Sequence, residues 1–132
     1  MATAKELYPN NNYFSDYDLM LREFGTILIQ VDEDGYSGDS WVLYKDKNSS
    51  RLGYLNFGWG SCSGCDALQA CSSYEEVQEL MDQLFNSIQW WDNPTDALEW
   101  FKTHDWEGDY YCASNDRSNF VSQVIEYLES LL

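Results

Sequence analysis

Between Thr26 and Trp59 the chain reads as three strand-forming runs joined by short turns, and that pattern constrains its fold more than any other feature. Ile27, Ile29 and Val31 alternate with Thr26, Leu28, Gln30 and Asp32, the period-two pattern of a half-buried strand. Asp34-Gly35 and Ser37-Gly38 break it. Residues 40–45, with Trp41, Val42, Leu43 and Tyr44, form the second run, and the polar turn 46–50 leads into the third, 51–59. Strands connected this closely make an antiparallel meander, which most easily keeps one face dry and one wet.

Helical periodicity surrounds the meander. Residues 15–24 predict a short helix, with Ser15 and Asp18 as a capping box and Gly25 as the stop. Ser73 with Glu76 opens the clearest helix of the chain, in which Val77, Leu80, Met81, Leu84 and Ile88 recur at steps of three and four. Gln89-Trp90-Trp91 reads as a short extended segment. Asn93 and Pro94 then start a helix with Ala97, Leu98 and Phe101 inside. Residues 107–112 read as a last strand, and Asn115 or Asp116 caps a terminal helix whose apolar face is Phe120, Val121, Val124, Ile125, Leu128 and Leu131. The expected fold is α+β: one domain, residues 13–132, with an antiparallel meander of three to five strands and three or four amphipathic helices, mostly on one side. Residues 1–12, ending in Pro9-Asn10-Asn11-Asn12, are expected to be a flexible arm.

The charge balance excludes whole classes of partner. Seven Lys and Arg stand against 23 Asp and Glu, a formal charge of −16, which disfavours direct contact with DNA, RNA or an anionic membrane. The same charge with few apolar residues would signal disorder, but here 44% of residues are hydrophobic and 17% aromatic. A core this small cannot enclose 6 Trp, 10 Tyr and 6 Phe, so some rings are expected at the surface as interface anchors. No run of 18 apolar residues occurs and the first dozen residues lack a secretory pattern, which predicts a soluble intracellular protein.

The four cysteines carry the strongest local signal. Cys62 and Cys65 form a C-x-x-C in a Gly/Ser loop, Cys71 follows, and Cys112 is the remaining thiol. The expected site is structural zinc held by Cys62, Cys65, Cys71 and Cys112, with the lone imidazole, His104, as the alternate ligand beside three of them. Four protein ligands leave no position for water or substrate, so such a site supports folding rather than catalysis. A second reading is a thiol–disulfide oxidoreductase, because Trp59 precedes the C-x-x-C after a strand; the meander and the absence of a proline beside the dithiol oppose it. No nucleophile elbow, phosphate-binding loop or zinc-protease motif occurs, and no residue is assigned a catalytic role.

The acidic residues cluster, and aromatic rings interleave with them. Glu75, Glu76, Glu79 and Asp82 line one helix, and Trp90, Trp91, Asp92, Trp106, Asp109 and Tyr110 follow, together the expected contact residues for a basic protein partner. The run from Gly53 to Leu68, GYLNFGWGSCSGCDAL, resembles segments of small phage and mobile-element proteins. Short, acidic and aromatic, the chain is similar to anti-CRISPR inhibitors of the type II effector nuclease, some of which contain structural zinc. That resemblance implies a non-enzymatic inhibitor in the host cytoplasm that obstructs guide or target DNA loading. A phage structural or assembly protein is the third reading.

Overall fold

The computed structural model describes residues 1–9, 14–61, 64, 66–106 and 115–132. The elements are α1 (Ala4–Leu7), α2 (Tyr17–Phe24), β1 (Thr26–Asp32), β2 (Ser37–Lys45), β3 (Leu52–Gly60), α3 (Tyr74–Ser87), β4 (Gln89–Trp91), α4 (Pro94–Thr103) and α5 (Asn115–Ser130). The strands make one antiparallel sheet in the order β1-β2-β3-β4. The α+β architecture expected from the sequence is present, and residues 89–91 pair as its fourth strand. The strand expected at residues 107–112 lies outside the described residues.

Helices cover both faces of this sheet rather than mainly one. Val42, Tyr44, Leu55 and Phe57 point toward α1, α2 and α3, where they meet Met20, Leu21, Phe24, Val77 and Met81. Trp41, Leu43 and Leu52 point the other way, toward Ala97, Leu98, Phe101, Phe120, Val124 and Leu128 of α4 and α5. The reason lies in β2, where residues 41–44 are apolar without interruption and all four are buried. A strand with one wet face must alternate; one buried on both sides need not. Leu131, expected on the inner face of α5, is exposed beyond the end of that helix.

A β-bulge in β1 completes the two-sided packing. Ile27 pairs with Tyr44 and Ile29 with Leu43, leaving Leu28 as the extra residue. One inserted residue switches the sides of all that follow. Ile27 therefore joins the α1–α3 cluster, whereas Leu28, Ile29 and Val31 pack on the α4–α5 cluster. At the opposite edge, Gly53 pairs with Trp90, and a Cβ at position 53 would lie 2.7 Å from that indole. Glycine is required there for the ring to lie across β3.

Residues 1–9, part of the segment expected to be a flexible arm, pack against α3. Thr3 and Glu6 make a reciprocal capping box around α1, and the backbone N–H of Ala4 donates to Gln78 Oε1 on α3 at 2.9 Å. Ala4 and Tyr8 are buried, and Tyr74 Oη donates to the Tyr8 carbonyl at 2.7 Å. Apolar burial at those two positions and hydrogen bonds to α3 outweigh the cost of ordering a short segment. Residues 10–12 lie outside the described residues. Helix α2 is capped by Asp16, whose carboxylate accepts from the Asp18 N–H, and not by the expected Ser15. Among the described residues, no helix is long and apolar enough to cross a membrane.

Candidate functional site

Helix α3 presents the acidic row that the sequence predicts. Ser73 Oγ accepts from the Glu76 N–H at its start, and Val77 and Met81 turn inward. That phase leaves Glu75, Glu76, Glu79 and Asp82 exposed. Hydrogen bonds from the Ser72 hydroxyl and backbone N–H hold the Glu76 carboxyl below the usual range, so it is fixed as a cap. Asp82 accepts from Gln78 Nε2 at 3.0 Å. The helix contains no Lys or Arg. The ion pairs among the described residues, Lys47–Glu23, Arg51–Asp46 and Lys102–Glu129, all lie elsewhere.

The aromatic residues expected beside this row are placed differently. Trp90 is half-buried against the α1–α3 cluster, with the Arg51 guanidinium 4.9 Å from its ring centroid. Trp91 and Trp106 pack on the opposite cluster, against Phe101 at 5.7 Å and 5.6 Å. The Trp106 indole N–H donates to the Phe101 carbonyl at 3.0 Å. These rings are parts of the core rim, because two packed faces consume far more aromatic surface than one. Among the described residues Tyr36, 86% exposed beside Gly35 in the β1–β2 hairpin, is the large aromatic on the surface. Asp92 is exposed. Asp109 and Tyr110 lie outside the described residues.

A second acidic feature is assembled only in the folded chain. Asp16 and Asp18 at the start of α2 face Asp32 and Glu33 at the end of β1 across a cavity of 350 Å³, with Tyr17, Phe57 and Trp59 among its walls. Its two sides come from segments that approach only because α2 folds back over β1. Asp18 and Asp32 stand fourteen positions apart in the chain and belong to different elements. On the other sheet face a cavity of 420 Å³ adjoins Tyr54, Trp100, His104, Trp106 and the buried Arg117.

The loop carrying the C-x-x-C is closed by a buried carboxylate. Asp66 Oδ1 accepts from the Gly60 N–H at 2.8 Å and from Tyr17 Oη at 3.0 Å, while Oδ2 accepts from the Gln69 N–H at 2.9 Å. Gln69 Nε2 returns a bond to the Gly60 carbonyl at 3.0 Å. The two ends of the loop are thereby held together. Cys62, Cys65 and Cys112 lie outside the described residues. Cys71 is half-buried on the α1–α3 side, and its Sγ donates to the Ala67 carbonyl at 3.3 Å. Burial, then Glu76, Asp66 and Glu79, push its thiol above the ordinary range.

His104 sits across the sheet from Cys71, its ring stacked on Trp100 at 4.2 Å. The structure does not bring those two side chains together. Comparison with protein-family models, with curated proteins and with solved structures returned no match.

Proposed function

We propose that this protein is a non-enzymatic inhibitor that docks on the nucleic-acid-binding surface of a basic protein, with α3 substituting for a phosphate strand. The observation that carries this reading is the charge spacing on α3. From Glu75 to Asp82 the helix advances roughly 10.5 Å at about 1.5 Å per residue. The three carboxylates not engaged in the cap, Glu75, Glu79 and Asp82, thus stand about 6 Å and about 4.5 Å apart along one face of the helix, an anionic row of the kind a phosphate strand presents to a basic groove. No cation on the helix interrupts the row.

The resemblance of residues 53–68 narrows the partner to a type II CRISPR effector nuclease in the host cytoplasm, where the protein obstructs guide or target loading. Structural zinc at Cys62, Cys65, Cys71 and Cys112 belongs to the same proposal: the hydrogen bonds of Asp66, which pin the ends of the C-x-x-C loop, support a preorganised pair of ligands there.

The test is binding of the purified chain to purified nuclease, with and without guide RNA, across salt. Affinity should fall steeply with ionic strength, and E75K/E79K/D82K, which spares the capping Glu76, should slow association by about tenfold or more. Binding that is indifferent both to salt and to those reversals would remove α3 as the contact surface. No binding to the nuclease in either state would remove the assignment of partner.

A further inference from the structure

We propose that the groove between α2 and the end of β1 is a seat for an arginine side chain of a protein partner. The inference rests on the reading above, because it takes the partner to be basic, and it names the group that contact would use.

The cavity measures 350 Å³, at the small end of the range of about 300–1,000 Å³ for ligand sites, which suits one long side chain. Its walls combine two kinds of surface. Tyr17, Phe57 and Trp59 supply rings, with Tyr17 and Phe57 5.0 Å apart. Asp18, Asp32 and Glu33 supply carboxylates, and no Lys or Arg lines the space. A planar, weakly hydrated guanidinium stacks on rings while its edge donates to carboxylates; a compact ammonium does only the second.

The hydrogen bonds already present explain why the charge is left for a partner. Asp32 accepts from Ser40 Oγ and Gln30 Nε2, and Glu33 accepts from the Asp39 N–H at 2.8 Å, all neutral donors. Gln30 Nε2 lies 3.1 Å from Asp32 Oδ1 and 3.5 Å from Asp18 Oδ1, so an uncharged amide bridges two anions. A guanidinium replacing it would make charge-assisted bonds to both. Asp16 is committed to the α2 N-terminus, where it offsets the positive end of that helix. The carboxylates surround the cavity without converging: among the described residues, no three ligating side chains are grouped to hold a metal ion. A cation whose charge is spread over a plane fits this arrangement better than a point charge.

The experiment titrates ¹⁵N-labelled full-length protein with hexa-arginine and, separately, hexa-lysine peptide. Expected are saturable shifts of the Trp59 indole and Gln30 side-chain amide signals with hexa-arginine, and at least about threefold weaker binding of hexa-lysine. D18N/D32N should weaken hexa-arginine by about tenfold, while E75Q/E79Q should change the dissociation constant at the groove by less than about twofold. Three results would overturn the proposal: shifts confined to α3, an identical map and affinity for hexa-lysine, or unaltered binding by a folded D18N/D32N. Should that variant not fold, the shift map of the unmodified chain decides. A responsive groove in a chain that ignores the nuclease retires the inhibitor reading and retains the arginine seat. Nuclease binding with a silent groove does the reverse.

Discussion

The two faces of the sheet are packed with different chemistry, and the difference separates what holds the fold from what it can offer a partner. Toward α4 and α5 the core is built around Phe101, with the rings of Tyr54, Trp91, Trp100 and Trp106 between 5.2 Å and 5.7 Å from it. Toward α1, α2 and α3 the core mixes methionine, leucine and valine with tyrosine and phenylalanine and has fewer tryptophans, and its helices carry the acidic row and the acidic groove. The aromatic surplus that suggested an interface is thus spent on both cores, tryptophan mainly toward α4 and α5, tyrosine and phenylalanine mainly toward α1, α2 and α3. The charge that opposes folding is carried conspicuously by the helices of the other side.

The proposed zinc site supplies a test of whether the two sides are independent. Zinc on Cys62, Cys65, Cys71 and Cys112 would tie the loop after β3, and the Cys71 side of the sheet, to the segment that leads into α5. Chelation should then lower Tm by at least about 10 °C in one transition, because a structural zinc site contributes directly to folding. Metal analysis should return one zinc per chain. An unchanged Tm would remove the structural zinc and leave the four strands of the sheet to join the two layers.

Next in size is Phe101→Ala, which removes the ring at the centre of the aromatic core and should cost about 3–5 kcal/mol. Met81→Ala, its counterpart under α3, should cost about 2–5 kcal/mol. Since Trp41 and Leu43 face one cluster while Val42 and Tyr44 face the other, both variants should still unfold in a single urea transition. Two transitions in Phe101→Ala would mean that the layers melt separately.

Alkaline pH should act on one face first. Tyr8, Tyr17 and Tyr44 all belong to the α1–α3 side, and burial pushes each phenol well above its ordinary value of about 10. The unfolded chain therefore releases these protons before the folded one does. The stabilisation is complete below pH 10 and is lost as pH rises toward the folded-state values, by up to about 1.4 kcal/mol per pH unit for each tyrosine. Phenolate absorbance should accordingly lag in the native protein and appear with unfolding. Titration of all ten tyrosines near pH 10 without loss of structure would contradict the packing of this face.

The meander and the helix starts at Ser73 and Asn93 were legible because each rests on local chemistry: alternation, turn residues, a cap. The two-sided sheet was legible in principle from the unbroken apolar run Trp41 to Tyr44. The bulge at Leu28 was not, since period-two alternation continues through it in sequence and fails only in pairing. Docking of residues 4–8 depends on Gln78 and Tyr74, some seventy positions away. The groove was hidden for the same reason: its rings and carboxylates come from α2, β1 and β3, and only tertiary packing makes them neighbours.

The smallest effect separates the helices themselves. Asn93 caps α4 reciprocally, Oδ1 accepting from the Asp96 N–H at 2.9 Å and Nδ2 donating to the Asp96 carboxylate at 3.1 Å. Ser73 caps α3 with one bond to its backbone, from the Glu76 N–H at 3.2 Å, while the Glu76 carboxylate is held mainly by Ser72. Asn93→Ala loses both halves of its cap and should cost about 1–2 kcal/mol; Ser73→Ala leaves the Ser72–Glu76 bonds and should cost about 0.5–1 kcal/mol. Urea midpoints at constant slope measure the difference. The reverse order would mean that α3 depends on its hydroxyl cap despite the carboxylates in its first turn.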